Sequence, residues 1–173
     1  MVGIADKSFD LALSTFAFMF YVDRMSGFRE LFRVLKPGGR VGIAVWREAV
    51  HQEHLTFVSE VTKRVFPDQP GRDNSFLLAL ANPETFKKEL EEVGFVNVDV
   101  AAHFIPLQCS TPDNFVRFQV NSVPLQSLRE RVGEEAYAGF KLELTKAIQE
   151  KFNQDKTVFF NTSALIAIAT KPH

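Results

Sequence analysis

Apolar runs and stretches of helical spacing alternate along the first hundred residues. The run Phe9-Asp10-Leu11-Ala12-Leu13-Ser14 is apolar with little alternation, which predicts a strand buried on both faces of a parallel sheet. Between Met25 and Leu35, apolar Phe28, Leu31, Phe32 and Leu35 recur on one helical face and Arg29, Glu30 and Arg33 on the other. This helix is expected to stop in a tight turn at Lys36-Pro37-Gly38-Gly39, where a cation, a breaker and two glycines coincide. Residues 40–46 then read as a second buried strand. Strand, helix, turn and strand make a βαβ unit.

Further along, Leu55, Val58, Val61 and Val65 share one side of a helix expected over 51–65, and 67–75 is the clearest loop. Asn82-Pro83-Glu84 opens a helix with a cap residue, a first-turn proline and an acid, and Gly94 closes it. Val96, Val98 and Val100 alternate with Asn97 and Asp99, a strand with one wetter face. Helices are expected from Thr111, near Pro124 and over 134–152. Residues 157–170 read as one long apolar strand. No repeat or heptad interrupts this α/β pattern.

At 173 residues the chain has the length of one domain. Its aromatics are skewed, 18 Phe against 1 Trp and 2 Tyr, which suits a large core or an apolar pocket. The net charge is -1 and neither sign clusters, so nucleic acid is not an expected partner. One cysteine, Cys109, leaves no internal disulfide or cysteine-rich metal site and fits a reducing, cytoplasmic compartment. The first ten residues carry no signal-peptide pattern, and no apolar run approaches the ~20 residues of a membrane span.

Four short motifs in this order carry a family resemblance. Asp6-Lys7-Ser8-Phe9-Asp10 resembles the D-x-S-F-D lead-in to the fourth strand of class I S-adenosylmethionine-dependent methyltransferases. The stretch from Ser14 to Arg24 is similar to the loop after that strand, and Arg33-Val34-Leu35-Lys36-Pro37-Gly38-Gly39 to the turn before strand five. Glu92-Val93-Gly94-Phe95 resembles the approach to strand six. The nearest subgroup is type 11, which includes ubiquinone and menaquinone biosynthesis methyltransferases. The resemblance implies a truncated Rossmann-like sheet with family strands in the order 4-5-7-6 and the last one antiparallel. It also implies helices on both faces, a single partial domain over 1–173, and a helical insert at 111–152 that could cover the substrate.

The family's glycine-rich G-x-G-x-G loop and its ribose-binding acid have no counterpart here. Only Val2-Gly3-Ile4-Ala5 precede the fourth-strand motif, so about three βα units of ~30 residues each are expected to be missing. Gly38, Gly39 and Gly42 lie at the wrong end of a strand or inside one. Carried over residue by residue, the resemblance implies that Ser14, Thr15 and Phe16 touch the cofactor. Phe20, Trp46, Arg47 and His51 would face the substrate, as the rule for ligands beyond the carboxyl ends of parallel strands also suggests. Core packing is the alternative for the aromatic members. His51 and His54 could remove a proton from an acceptor, or simply lie at a solvated helix start. No catalytic residue and no metal ligand is assigned. Phe115, Phe118 and Tyr137 of the insert would suit an apolar acceptor, or a plain packed layer.

The expected function is therefore methyl transfer to a small, apolar molecule, from a chain that by itself binds S-adenosylmethionine weakly or not at all. The alternative is a catalytically inactive half-domain that acts as an interaction module. Under either, the strand at 9–14 would lack a neighbour on one side, with no lysine or proline to guard it, and a homodimer through that edge is expected.

Overall fold

The computed structural model describes residues 3–70, 78–152 and 156–173; of the loop expected at 67–75, residues 71–75 lie outside those described. In chain order the elements are β1 (Phe9–Thr15), α1 (Arg24–Val34), β2 (Leu35–Trp46), α2 (Glu53–Val65), α3 (Pro83–Val93), β3 (Val96–Phe104) and β4 (Leu107–Cys109). They continue with α4 (Pro112–Val120), α5 (Val123–Val132), α6 (Glu134–Lys151), β5 (Val158–Phe160) and β6 (Ser163–Thr170). Short 3-10 turns stand at Phe18–Phe20 and Ala49–His51. The chain divides into two compact units: Met1–Glu48, Ser75–Phe104 and Ser163–His173 form one, Ala49–Asn74 and Ile105–Thr162 the other.

The first unit is built on a four-stranded sheet in the order β1-β2-β6-β3. Strands β1 and β2 are parallel neighbours, and β6 runs antiparallel to both β2 and β3. The order and the antiparallel last strand are those expected from the resemblance. Paired residues project to the same side, so Ala12, Val41, Ala169 and then Ser14, Ile43, Ala167 form rungs of one face. Against that face α1 packs Phe28 and Leu31, and α3 packs Phe86 and Leu90, with Phe28 and Phe86 fully buried. Burying each such side chain contributes about 1.5–3 kcal/mol.

Both helices are capped as their sequences dictate. The Asp23 carboxylate accepts from the Ser26 N–H at 2.9 Å, and the Asn82 side chain accepts from the Thr85 N–H at 2.8 Å. Gly94 ends α3 in the left-handed region, at φ 108°.

Two expectations for this unit need correction. First, Lys36-Pro37-Gly38-Gly39 is not a separate turn. Helix α1 ends at Val34, strand β2 begins at Leu35, and the ladder jumps from Phe9–Leu35 to Leu11–Arg40 with 36–39 bulged out. Gly38, at φ 76°, donates its N–H to the Lys171 carbonyl, and the Lys171 N–H donates to Gly39. The Lys171 ammonium donates to the carbonyls of Phe32 and Leu35 at 2.6 and 2.8 Å and sits 4.6 Å from the Phe32 ring centroid. Lysine thus satisfies the helix end that glycine was expected to close.

Second, β1 is not buried on both faces: Phe9, Leu11 and Leu13 are 45%, 55% and 71% exposed. Helices α1 and α3, the helices of this unit among the described residues, both pack with Val41 and Ile43.

The second unit packs α2, α4 and α6 with the two-stranded β4–β5 ladder. Its core includes Phe115, Phe140 and Phe160, each no more than 1% exposed, so much of the phenylalanine excess is core. The single strand expected over 157–170 is interrupted: β5 pairs with β4, while β6 belongs to the larger sheet. Polar bonding at Asn161-Thr162 makes the break. The Asn161 N–H and side-chain amide donate to the Glu53 carboxylate at 2.7 and 2.9 Å, and the Thr162 hydroxyl donates to the Ile105 carbonyl. Among the described residues no helix is long and apolar enough to cross a membrane.

Candidate active site

The carboxyl ends of β1 and β2 lie side by side, with Ser14 opposite Ile43 and Thr15 opposite Ala44. Immediately beyond, Phe16 adopts a left-handed backbone at φ 52°, rare for a bulky residue and costing about 1–3 kcal/mol. Two contacts hold it there. The Phe16 N–H donates to the Ala44 carbonyl at 2.9 Å, and the Phe16 ring stacks on Trp46 with centroids 4.2 Å apart and planes 28° apart. Each contributes about 0.5–1.5 kcal/mol, enough together to offset the backbone cost.

The 3-10 turn that follows sorts the aromatic run. Phe18 and Met19 point into the core, where Phe18 stacks on Phe28 at 4.7 Å. This depends on Gly27, since a Cβ there would lie 2.7 Å from the Phe18 ring. Phe20 and Tyr21 are left 58% and 53% exposed. On the β2 side the Arg47 N–H donates to the Ser163 carbonyl at 3.1 Å, and its guanidinium lies 3.4 Å from the Glu48 carboxylate.

Of the residues singled out from sequence, Ser14, Thr15, Phe16, Phe20, Trp46 and Arg47 therefore belong to the first unit. His51 ends the 3-10 turn Ala49–His51 of the second unit. His54 is not at a solvated helix start but buried in α2 at 7% exposure. Phe115 and Tyr137 are core residues of the second unit, and of the three only Phe118 is exposed. Desolvation pushes the Cys109 thiol above its ordinary pKa, which disfavours the nucleophilic thiolate. The sequence did not single out Tyr21 as exposed, nor Phe16 as left-handed. No phenylalanine preference signals that conformation; only the structure shows it.

Chemically, this cluster offers two hydroxyls, a flat aromatic surface and a guanidinium. The 173 residues hold no G-x-G-x-G run. The groups present do not make the glycine cradle of a nucleoside-bearing cofactor.

A family model described as a methyltransferase domain matches residues 1–43. The chain is 31% identical over 110 residues to the ubiquinone/menaquinone biosynthesis C-methyltransferase UbiE of Geotalea daltonii. That match covers 56% of this chain and 45% of the relative, so the chain spans less than half the length of the curated protein it matches. Among solved structures, the YcgJ protein of Bacillus subtilis shares 16% identity at a TM-score of 0.53, covering 100% of this chain and 68% of that one. A proposed methyltransferase from Bacillus halodurans shares 19% identity at a TM-score of 0.51, covering 100% of this chain and 74% of that one. The chain is thus similar to methyltransferases in sequence over part of its length, and it shares the fold of the two solved structures.

Proposed function

We propose that this chain contributes the acceptor side of an S-adenosylmethionine-dependent methyl transfer to a small, apolar molecule. The observation that carries the reading is the Phe16–Trp46 stack at the adjoining carboxyl ends of β1 and β2. There the backbone is held in a costly conformation beside exposed Phe20, an arrangement that clusters at functional sites. Ser14, Thr15 and Phe16 would border the cofactor, and Phe20, Trp46 and Arg47 the acceptor. Methyl transfer from a sulfonium relies chiefly on in-line positioning, so a rigid aromatic surface serves it without a dedicated base. The single, half-buried thiol of Cys109 is compatible with a cytoplasmic setting.

Binding of the cofactor by these 173 residues alone is expected to be weak or absent, because the glycine cradle and ribose acid are not among them. Calorimetric titration with S-adenosylmethionine tests this: micromolar affinity, about -8 kcal/mol, would contradict it. The reading is tested by the upstream coding sequence. If it supplies an in-frame G-x-G-x-G, the extended protein should transfer labelled methyl groups, and Trp46→Ala should reduce transfer at least tenfold. An upstream frame without that motif would favour the second reading, a non-catalytic pairing module.

That second reading rests on β1, whose Leu11 and Leu13 are exposed on an outer edge that no strand flanks among the described residues. Under either reading two copies would join as a homodimer at this edge.

A further inference from the structure

The second unit carries a groove of about 600 Å³ between α4, α5 and α6, outside the four short family motifs. Three cations from three different helices reach it: Arg117 from the last turn of α4, Arg129 from the last turn of α5, and Lys141 from α6. Two acids share it, Asp113 and Glu134. Their charges do not cancel locally. Glu134 is taken up by Arg129, whose Nε and Nη2 lie 2.6 and 2.5 Å from its carboxylate. Arg117 donates to the neutral Asn114 amide at 2.8 Å. Among the described residues no carboxylate lies within ion-pair distance of Lys141.

The base of the groove is fixed in place. Gln126 and Tyr137 both donate to the Val120 carbonyl, at 2.6 and 3.2 Å, tying α5 and α6 to the end of α4. Val116 and Val120 add apolar surface beside these polar groups. Surface cations usually face an acid or are dispersed. Here two of them, on separate helices, share a concave site with one unspent acid and an apolar floor.

We propose that this groove binds a small organic oxyanion, a phosphate monoester or a carboxylate on a compact apolar body. Lys141 and Arg117 would hold the anionic head and Val116 and Val120 the body. The proposal is independent of the methyl-transfer reading.

Amide chemical shifts of the isotope-labelled protein, titrated at constant ionic strength with phenyl phosphate, benzoate and inorganic phosphate, test it. Saturable shifts confined to α4, α5 and α6 are expected for at least one of the two aromatic anions. Lys141→Gln and Arg117→Gln should each weaken binding about fivefold or more, while Arg64→Gln, outside the groove, should leave it unchanged. The exposed position of both residues means that the variants should still fold, as an unchanged spectrum elsewhere would verify. Shifts that never saturate, or an equal loss with Arg64→Gln, would overturn the proposal. So would inorganic phosphate binding as tightly as phenyl phosphate, since the apolar floor would then contribute nothing.

Discussion

The two edges of the four-stranded sheet are built on opposite plans. At β3, Asn97 takes a left-handed conformation that shifts the ladder between Val96 and Asp99, and the exposed Asp99 and His103 follow. Bulges and charge are the means by which edges avoid pairing with other chains. At β1, Phe9, Leu11 and Leu13 stand exposed in alternation, and the extra residues of its ladder shift lie in β2 rather than in β1 itself. One charge, Asp10, lies within the run, and it is paired with Lys36 at 2.9 Å. β3 has the composition of a strand that ends a sheet. β1 carries neither a bulge of its own nor an unpaired charge.

The largest test of this contrast compares truncations on the two neighbouring strands. Ile43→Ala, at a fully buried site on β2, should cost about 2–5 kcal/mol in urea denaturation. Leu13→Ala on β1 should cost less than about 0.5 kcal/mol in the monomer. Similar losses at both sites would mean that β1 is covered in solution. Next in size is association. Leu13→Lys should weaken self-association at least tenfold, about 1.4 kcal/mol, by sedimentation at micromolar concentration. His103→Lys on β3 should change nothing, and a wild-type chain that sediments as a monomer would end the dimer proposal.

The smallest effect should be indifferent to both edges. Hydrogen bonds from Arg33 are the largest influence lowering the Glu30 carboxyl from its ordinary 4.5 to about 2. Because the folded value is depressed, this stabilisation is present above pH 4.5 and is lost as pH falls toward 2. Thermal melts across that window should show a shallower slope for Glu30→Gln and an unaltered one for Leu13→Lys; an unaltered slope for Glu30→Gln would refute the assignment.

Much of this fold was legible in the sequence because periodicity and caps agreed. The Asn82-Pro83 start, the Gly94 stop and the apolar faces of α1 and β2 each predict their element from local chemistry. The failures have a common cause in partners distant along the chain. The Lys36–Gly39 segment looks like a helix stop until Lys171 supplies the missing cap from the far end. Residues 157–170 look like one strand until Glu53 and Ile105 bond the polar pair Asn161-Thr162. At the candidate site the residue types were visible, but the Phe16–Trp46 stack was not. It depends on a left-handed phenylalanine that no propensity favours.

The position of β6 also bears on how the chain acquires its structure. β2 and β3 do not pair with each other; each pairs with β6, which follows every other strand in sequence. During synthesis the sheet unit can form the local β1–α1–β2 piece early, but β3 has no strand to pair with until residues 163–170 emerge. Closing the loop between β3 and β6, which contains most of the second unit, must precede the final ladder and sets a late, non-local barrier. A ribosome-bound chain lacking those last residues should therefore show slowed amide exchange in β1 and β2 well before any appears in β3.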